Sequence, residues 1–262
     1  MRLFTVDAFT DTAFKGNPAG VCLLDSPVTD QWMQSVAAEM NLSETAFLLG
    51  DCLRWFTPAV EVTLCGHATL ATAHVLYSQR AVTGQLEFTT AGGTLTVNQL
   101  PDGMITMDFP AKESVPAPVP PGLEKALGIT PVHVEKSELD LLVELDSAES
   151  VESLTPDIAA LAAVDARGVI VTARGTDTDF VSRFFAPRVG VPEDPVTGSA
   201  HCALSPYWSA RLGRPTLTGA QLSTRGGTVH VRLDGTRVHL SGYAVTIMSG
   251  TLQPQPSTPR NL

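Results

Sequence analysis

Two short segments of the sequence place reactive side chains at the predicted start of a helix. They are residues 64–71, LCGHATLA, and residues 193–200, EDPVTGSA. A helix start offers free backbone N–H groups and the positive end of the helix dipole, which suits a carboxylate or an enolate oxygen. The candidate groups there are Cys65, Gly66, His67, Asp194, Thr197, Gly198 and Ser199. Together they point to chemistry on a small acid, in which a carbon-bound proton is made acidic.

Each of these residues also has a purely structural interpretation. Cys65 could be an inert buried thiol, and Asp194 and Thr197 could only cap a helix. His67 could stay neutral because the helix dipole disfavours its charge. Their combination at two related positions favours a site over these separate interpretations.

The two segments belong to a longer internal repeat. Residues 54–71 align without a gap on residues 183–200, so that Cys65 matches Asp194. The similarity continues downstream, where both halves predict strands joined by Gly-Gly and Asp-Gly turns. The sequence therefore predicts two homologous domains, with a pseudo-twofold site in the cleft between the two halves.

The predicted fold class is α+β, in which each domain is a mixed, mostly antiparallel sheet wrapped around a central helix. Residues 67–79 and 198–212 are apolar nearly all round, as is typical of a buried helix, although Pro206 should kink or shorten the second one. An amphipathic helix is predicted over residues 29–40, with Asn41 as its left-handed cap. The predicted N-terminal half is residues 1–113, and the C-terminal half is residues 122–252. Between them, residues 114–121 are a proline-rich linker, and residues 253–262 are a frayed tail.

Two more candidate residues lie upstream, in the first predicted domain. Asn17 is at the tip of a turn predicted for residues 14–21, where its amide could serve the turn or contact a ligand. Glu44 precedes a strongly apolar strand at residues 46–49, and its position alone favours an exposed carboxylate over a buried one. The corresponding loop of the second half lacks the Ser-Glu-Thr triplet around Glu44, and this difference favours a role in a site.

Composition limits the classes of partner. The chain has 262 residues, 44% of them hydrophobic, and a net charge of -10, which argues against nucleic acid and anionic membranes as partners. The first residues lack the features of a signal peptide and no apolar run approaches a membrane span, so a cytoplasmic protein is expected. Four scattered cysteines without CxxC spacing, and no HExxH motif, predict neither disulfides nor a metal site.

Four motifs in this order and spacing, DAFT-GNPAGV, NLSETAF, LCGHATLA and EDPVTGSA, resemble the PhzF family of phenazine-biosynthesis-like isomerases, which has the diaminopimelate epimerase fold. The resemblance covers nearly the whole chain. It implies a homodimeric enzyme without a cofactor, in which Glu44 is the catalytic acid/base. It also implies a set of residues that line the site: His67, Asp194 and Ser199 through their side chains, Gly66 and Gly198 through backbone amides.

The sequence is compatible with three functions. The first is an isomerase that moves a carbon-bound proton in a small amino- or hydroxy-carboxylic acid. In this function, Glu44 is the base and Asp194 orients an ammonium or hydroxyl group of the substrate. Asn17 and Cys65 contact the substrate. The second makes Cys65 the base of an epimerase or dehydratase of a proline-like amino acid. The third is a binding protein that lost turnover. Related racemases use two opposed cysteines, so the match of Cys65 with Asp194 favours the first function.

Overall fold

The computed structural model describes residues 1–79 and 82–253. The first half of the chain contains β1 (Arg2–Ala8), β2 (Asn17–Leu23), α1 (Asp30–Met40), β3 (Glu44–Leu49), β4 (Cys52–Phe56), β5 (Glu61–Val62), α2 (Gly66–Ser78), β6 (Leu86–Thr90), β7 (Gly93–Gln99) and β8 (Ile105–Pro110). The second half contains β9 (Val115–Pro116), α3 (Leu123–Leu127), β10 (His133–Lys136), β11 (Asp140–Glu144), α4 (Ala148–Glu152), α5 (Ile158–Ala162), β12 (Gly168–Arg174), β13 (Phe180–Ala186), a 3-10 helix (Pro187–Val189), β14 (Val191–Asp194), α6 (Gly198–Leu212), β15 (Thr216–Gln221), β16 (Gly227–Asp234), β17 (Arg237–Gly242) and β18 (Ala244–Thr251).

These elements form two compact units, and their boundaries differ from the predicted ones. The first unit is Met1–Asp108 together with the segment from Ser241 onward, and the second is Phe109–Leu240. The sequence placed all of residues 122–252 in the C-terminal half. However, β18 pairs antiparallel with β1 along the whole length of β1, so the last strand belongs to the sheet of the first unit.

The predicted linker contains a strand of the second unit. Val115 and Pro116 of the proline-rich stretch form β9, which pairs with β10, so this stretch is part of the second unit. A proline can lie in such a strand because an edge strand does not use every N–H group. Of the predicted tail, residues 254–262 lie outside the described residues.

The sheet of the first unit is mixed and surrounds α2. Its strands β2 and β3 are parallel, as are β4 and β6, whereas β18–β1, β1–β2, β3–β4, β6–β7 and β7–β8 are antiparallel. The helix α2 packs against β1, β2, β3, β7 and β18. Because α2 is apolar on nearly every side, this enclosure removes its surface from water. The central helix predicted from the sequence is confirmed.

The helix α1 lies on the same unit and has the predicted caps. Its N-cap Thr29 accepts a hydrogen bond from the Trp32 N–H group. Asn41 ends the helix in a left-handed conformation, with φ of 49°, and its N–H group bonds to the Ala37 carbonyl. Side-chain caps of this kind satisfy backbone groups that the helix itself leaves unpaired.

The second unit repeats the same succession of pairings around α6. Parallel β11–β12 is followed by antiparallel β12–β13, parallel β13–β15 and antiparallel β15–β16. The helix runs through Pro206 without being shortened. A proline cannot donate to the carbonyl four residues earlier, and here the Cys202 carbonyl instead accepts a hydrogen bond from the Lys112 N–H group at 3.0 Å. Among the residues that the structure describes, no helix is long and apolar enough to cross a membrane.

The enclosure of α2 predicts a large effect of removing a buried side chain from it. Leu70 lies in α2 and is fully buried. Leu70→Ala should lower the free energy of unfolding by about 2–5 kcal/mol, because it leaves a cavity that the surrounding strands cannot fill. Leu100→Ala, at a side chain that is 36% exposed, is the matched control. Denaturant unfolding measures both variants, and equal shifts of the midpoint would contradict the burial of α2.

Candidate active site

One cluster of candidate residues lies in the first unit, where strands and a helix begin. Asn17 is the first residue of β2, and Glu44 is the first residue of β3. The turn predicted over residues 14–21 is therefore shorter than expected, since Asn17 already pairs with Ala8 of β1. Gly16 makes the turn, with φ of 65°.

At the start of α2, Cys65 is the N-cap, Gly66 is the first helical residue and His67 is the second. The Cys65 side chain makes no capping hydrogen bond. The N–H groups of a first helical turn have no partner within the helix, so this end of α2 can donate to an oxygen of a ligand.

The imidazole of His67 is the centre of the cluster. Its Nε2 lies 3.2 Å from Glu44 Oε2. On the other side of the ring, Nδ1 lies 3.2 Å from Asn17 Nδ2 and 3.5 Å from Cys65 Sγ. The structure therefore brings Asn17, Glu44, Cys65 and His67 together.

The protonation state of His67 follows from its surroundings. Burial lowers the pKa of His67 to about 3, so the ring is neutral at physiological pH. Because the Asn17 amide nitrogen faces Nδ1 and can only donate, the tautomer compatible with this contact has Nδ1 as the acceptor and the proton on Nε2. The N–H group at Nε2 is close to Glu44, but among the described residues it has no hydrogen bond of good geometry. It is thus a buried donor placed beside a carboxylate.

A second cluster lies in the second unit, at the start of α6. Asp194 ends β14, and its Oδ2 accepts the hydroxyl hydrogen bond of Thr197, the N-cap of α6, at 2.5 Å. The Thr197 N–H group donates to Gln221 Oε1 at 2.9 Å, while Gln221 Nε2 donates to the Asp194 carbonyl at 2.7 Å. Gln221 is fully buried. Its amide therefore fixes the backbone just before α6.

The hydroxyl of Ser199 has a charged neighbour that sequence reasoning missed. Arg167 Nη2 lies 3.3 Å from Ser199 Oγ. Arg167 also binds Asp140 through Nε and Nη2, at 2.8 and 2.5 Å, and Asp140 is only 2% exposed. A two-pronged ion pair of this kind holds the guanidinium in one orientation, so the position of Arg167 beside Ser199 is fixed.

Neither Gln221 nor the Asp140–Arg167 pair belongs to a motif. Gln221 is a single polar residue at the end of β15, and Asp140 begins β11. Alternation of polar and apolar residues predicts which face a strand side chain takes, but it does not predict hydrogen bonds to residues far away in the sequence. No local signal could have identified these residues.

The two helix starts correct the alignment of the repeat. The helices α2 and α6 begin at Gly66 and Gly198, which are 132 positions apart, whereas the alignment of Cys65 with Asp194 assumes 129. The three added residues lie between β13 and β14: Phe184 pairs with Asp194 across nine residues, whereas its counterpart Trp55 pairs with Val62 across six. Cys65 therefore corresponds to the N-cap Thr197, and Asp194 has moved outside the helix start. The asymmetry between the halves remains, because only one of the two caps is a cysteine.

The two clusters lie in different units, and their membership of one site stays a prediction. The first contains Asn17, Glu44, Cys65, Gly66 and His67, and the second contains Asp194, Thr197, Gly198 and Ser199. The first supplies a carboxylate and a neutral imidazole. The second supplies a carboxylate, two hydroxyls and a helix start.

Comparison with known proteins finds relatives that match nearly the whole chain. A family described as phenazine biosynthesis-like protein matches residues 6–250 of the chain. An uncharacterized isomerase of Pseudomonas aeruginosa is 53% identical over 258 residues, covering 97% of this chain and 98% of the relative. The crystal structure of a PhzF family protein from Enterococcus faecalis is 44% identical, with a TM-score of 0.90 over 95% of this chain and 97% of that one.

A more distant structure has the same fold. A probable proline racemase from Agrobacterium radiobacter matches 98% of this chain and 94% of its own, with a TM-score of 0.65 and 12% identity, which is evidence of fold alone. The predicted epimerase-like fold is thus confirmed. The family match spans nearly the whole chain, and relatives of this similarity are named isomerases. The chain therefore belongs to the PhzF family of phenazine biosynthesis-like proteins, a family of isomerases.

Proposed function

We propose that the chain is a cofactor-independent isomerase that moves a carbon-bound proton within a small amino- or hydroxy-carboxylic acid. The observation that carries this proposal is the contact between the Glu44 carboxylate and the neutral imidazole of His67, 3.2 Å apart. It supplies a proton acceptor and a hydrogen-bond donor side by side. A proton shift at carbon needs both, because charge develops on a substrate oxygen while the proton is held by the base.

In this mechanism, Glu44 removes a proton from the carbon next to a carbonyl or carboxyl group. The electron pair of the broken C–H bond forms an enolate, whose oxygen accepts hydrogen bonds from His67 Nε2 and the first amides of α2. In a substrate with a carbon–carbon double bond conjugated to this enolate, Glu44 then returns the proton to the far carbon of the dienolate, and the double bond shifts. Atoms and charge balance within one substrate molecule, so the reaction needs no cofactor.

Asp194 is proposed to orient the substrate rather than to move its proton. Its carboxylate already accepts the hydroxyl of Thr197 and would accept in addition a substrate ammonium or hydroxyl group. Ser199 and the amide of Gly198 would hold a substrate carboxylate at the start of α6. This assignment requires both clusters to contact one substrate, as the sequence predicts.

Cys65 supports a second candidate function, the epimerase or dehydratase of a proline-like amino acid. Its Sγ lies 3.5 Å from His67 Nδ1, so the imidazole could take the thiol proton. The amide of Asn17 is bound to the same nitrogen and competes with the thiol. The start of α6 has Thr197 as its cap, so it provides no second thiol of the kind a two-base racemase uses. These two features favour Glu44 as the base.

A binding protein without turnover is the third candidate function. A ligand that raises the melting temperature without any proton exchange would favour the binding protein.

We also propose that the chain forms a homodimer in the cytoplasm. The homodimer rests on family resemblance. Light scattering after size exclusion tests it directly, and the mass of a single chain would contradict it.

The first test of the proposal is Glu44→Gln. Incubation in D2O with a panel of small amino acids and unsaturated cyclic acids, followed by proton NMR, detects exchange at carbon. Glu44→Gln should slow exchange by about 10²–10⁴-fold, because an amide cannot accept the proton. Glu39→Gln, at an exposed carboxylate of α1, should exchange at the wild-type rate.

The same experiment with Cys65→Ala separates the two enzyme functions. Exchange should persist in Cys65→Ala if Glu44 is the base. An unchanged rate in Glu44→Gln with loss of exchange in Cys65→Ala would replace the isomerase proposal by the epimerase or dehydratase.

The second test concerns the charge state of His67. Because burial holds the pKa of His67 near 3, the imidazole stays neutral above that pH, and it should contribute no step to the pH–rate profile between pH 5 and 8. His67→Gln should lower kcat by about 10²–10³-fold, as expected for loss of a donor to a developing oxyanion. The shape of the pH profile should not change. An inflection near neutral pH that disappears in His67→Gln would show that His67 titrates there.

A further inference from the structure

Three side chains of the first cluster form a group that could hold a metal ion. Glu44, Cys65 and His67 each offer one ligand atom, and these atoms lie within 4.8 Å of one another. A carboxylate oxygen, a thiolate sulfur and an imidazole nitrogen are all common ligands of zinc in proteins. We propose that these three residues form a binding site for Zn²⁺ and that the bound ion blocks the candidate active site.

The spacing of the sulfur and nitrogen atoms fits tetrahedral zinc. Zn–S and Zn–N bonds of about 2.3 and 2.05 Å at a tetrahedral angle put the two ligand atoms roughly 3.6 Å apart. Cys65 Sγ and His67 Nδ1 are 3.5 Å apart. The two residues therefore span the required distance without movement of the backbone.

Glu44 completes the set of protein ligands. Its side chain is 20% exposed, so it has room to rotate the carboxylate toward an ion held by Cys65 and His67. One of its oxygens already lies 3.2 Å from His67 Nε2. To bind an ion at Nδ1, the carboxylate must rotate away from Nε2, since the two nitrogens point to opposite sides of the ring. Three protein ligands leave the fourth position of a tetrahedral ion open.

The surroundings of the cluster limit the access of water to the ion. The Cys65 residue is 6% exposed and the His67 side chain is also 6% exposed. The Cys65 side chain makes no capping hydrogen bond to α2, so binding of its sulfur to an ion breaks no cap.

Binding is an exchange of bonds whose balance can be written out. Zn²⁺ displaces the thiol proton of Cys65, which leaves to solvent. It also replaces the hydrogen bond that the Asn17 amide makes to His67 Nδ1. No oxidation or reduction is involved. The ion occupies Glu44 and His67, which are the base and the enolate hydrogen-bond donor of the proposed function. The predicted block of catalysis therefore rests on that function, while the binding itself does not.

No metal site was predicted from the sequence, because its ligands do not share a local spacing. Cys65 and His67 are two residues apart, whereas Glu44 comes from β3 and reaches them only through the parallel pairing of β2 and β3 around α2. A site assembled from separate elements carries no motif.

The binding test uses Zn²⁺ alone, added to the metal-free full chain in competition with a chromogenic chelator. One equivalent should bind to the wild type. Cys65→Ser and Glu44→Gln should each weaken binding by about tenfold or more, as for the loss of groups that hold or orient a zinc ligand. Cys52→Ser, which changes an exposed cysteine of the same unit, is the matched control and should bind as the wild type does.

Co²⁺ provides a second measurement that reports on the ligand itself. The wild type and Cys52→Ser should show the near-ultraviolet absorption of a cobalt–thiolate bond, and Cys65→Ser should lack it. Equal Zn²⁺ affinity in Cys65→Ser, or a thiolate absorption that depends on Cys52, would overturn the proposal.

The block of catalysis has its own test. Saturating Zn²⁺ should stop proton exchange in D2O for any substrate of the panel, and a chelator should restore it. Undiminished exchange at saturating Zn²⁺ would overturn the block and leave the proposed function intact. The chelator titration contains no substrate, so its result stands even if no compound of the panel exchanges.

Discussion

The structure depends on enclosing α2, a helix that has no polar face. Burying such a helix on all sides requires strands around it, and β1, β2, β3, β7 and β18 provide them. The backbone amides of its first turn have no partner within the helix. Side chains that begin neighbouring strands lie beside that turn, and Asn17 and Glu44 are the two that meet His67 there.

The two units treat the starts of their central helices differently. Before α6, the buried amide of Gln221 bonds to both Thr197 and Asp194, so the backbone is held on both sides of the helix start. The cap side chains do not differ, since neither Cys65 nor Thr197 bonds to the first turn of its helix. A backbone held as it is before α6 suits a group that positions a substrate, which is the role proposed for Asp194.

Much of the fold could be predicted because its signals are local. The caps of α1, the burial of α2 and the end of α6 at Gly213 follow from residue types at neighbouring positions. The offset between the helix starts could not be predicted, since an ungapped alignment hides three added residues before α6. The ion pair of Asp140 with Arg167 and the amide of Gln221 act across long sequence separations. Pairing of that kind depends on the completed sheet.

The pairing of β18 with β1 has a consequence for synthesis of the chain. The second unit is one uninterrupted stretch, Phe109–Leu240, whereas the first needs the strand Ala244–Thr251 at its edge. On the ribosome, the chain emerges from its N-terminus. The unit that begins first is therefore finished last, and β1 has one edge unpaired until residues 244–251 have been translated. During that interval, an open strand edge is exposed to other nascent chains.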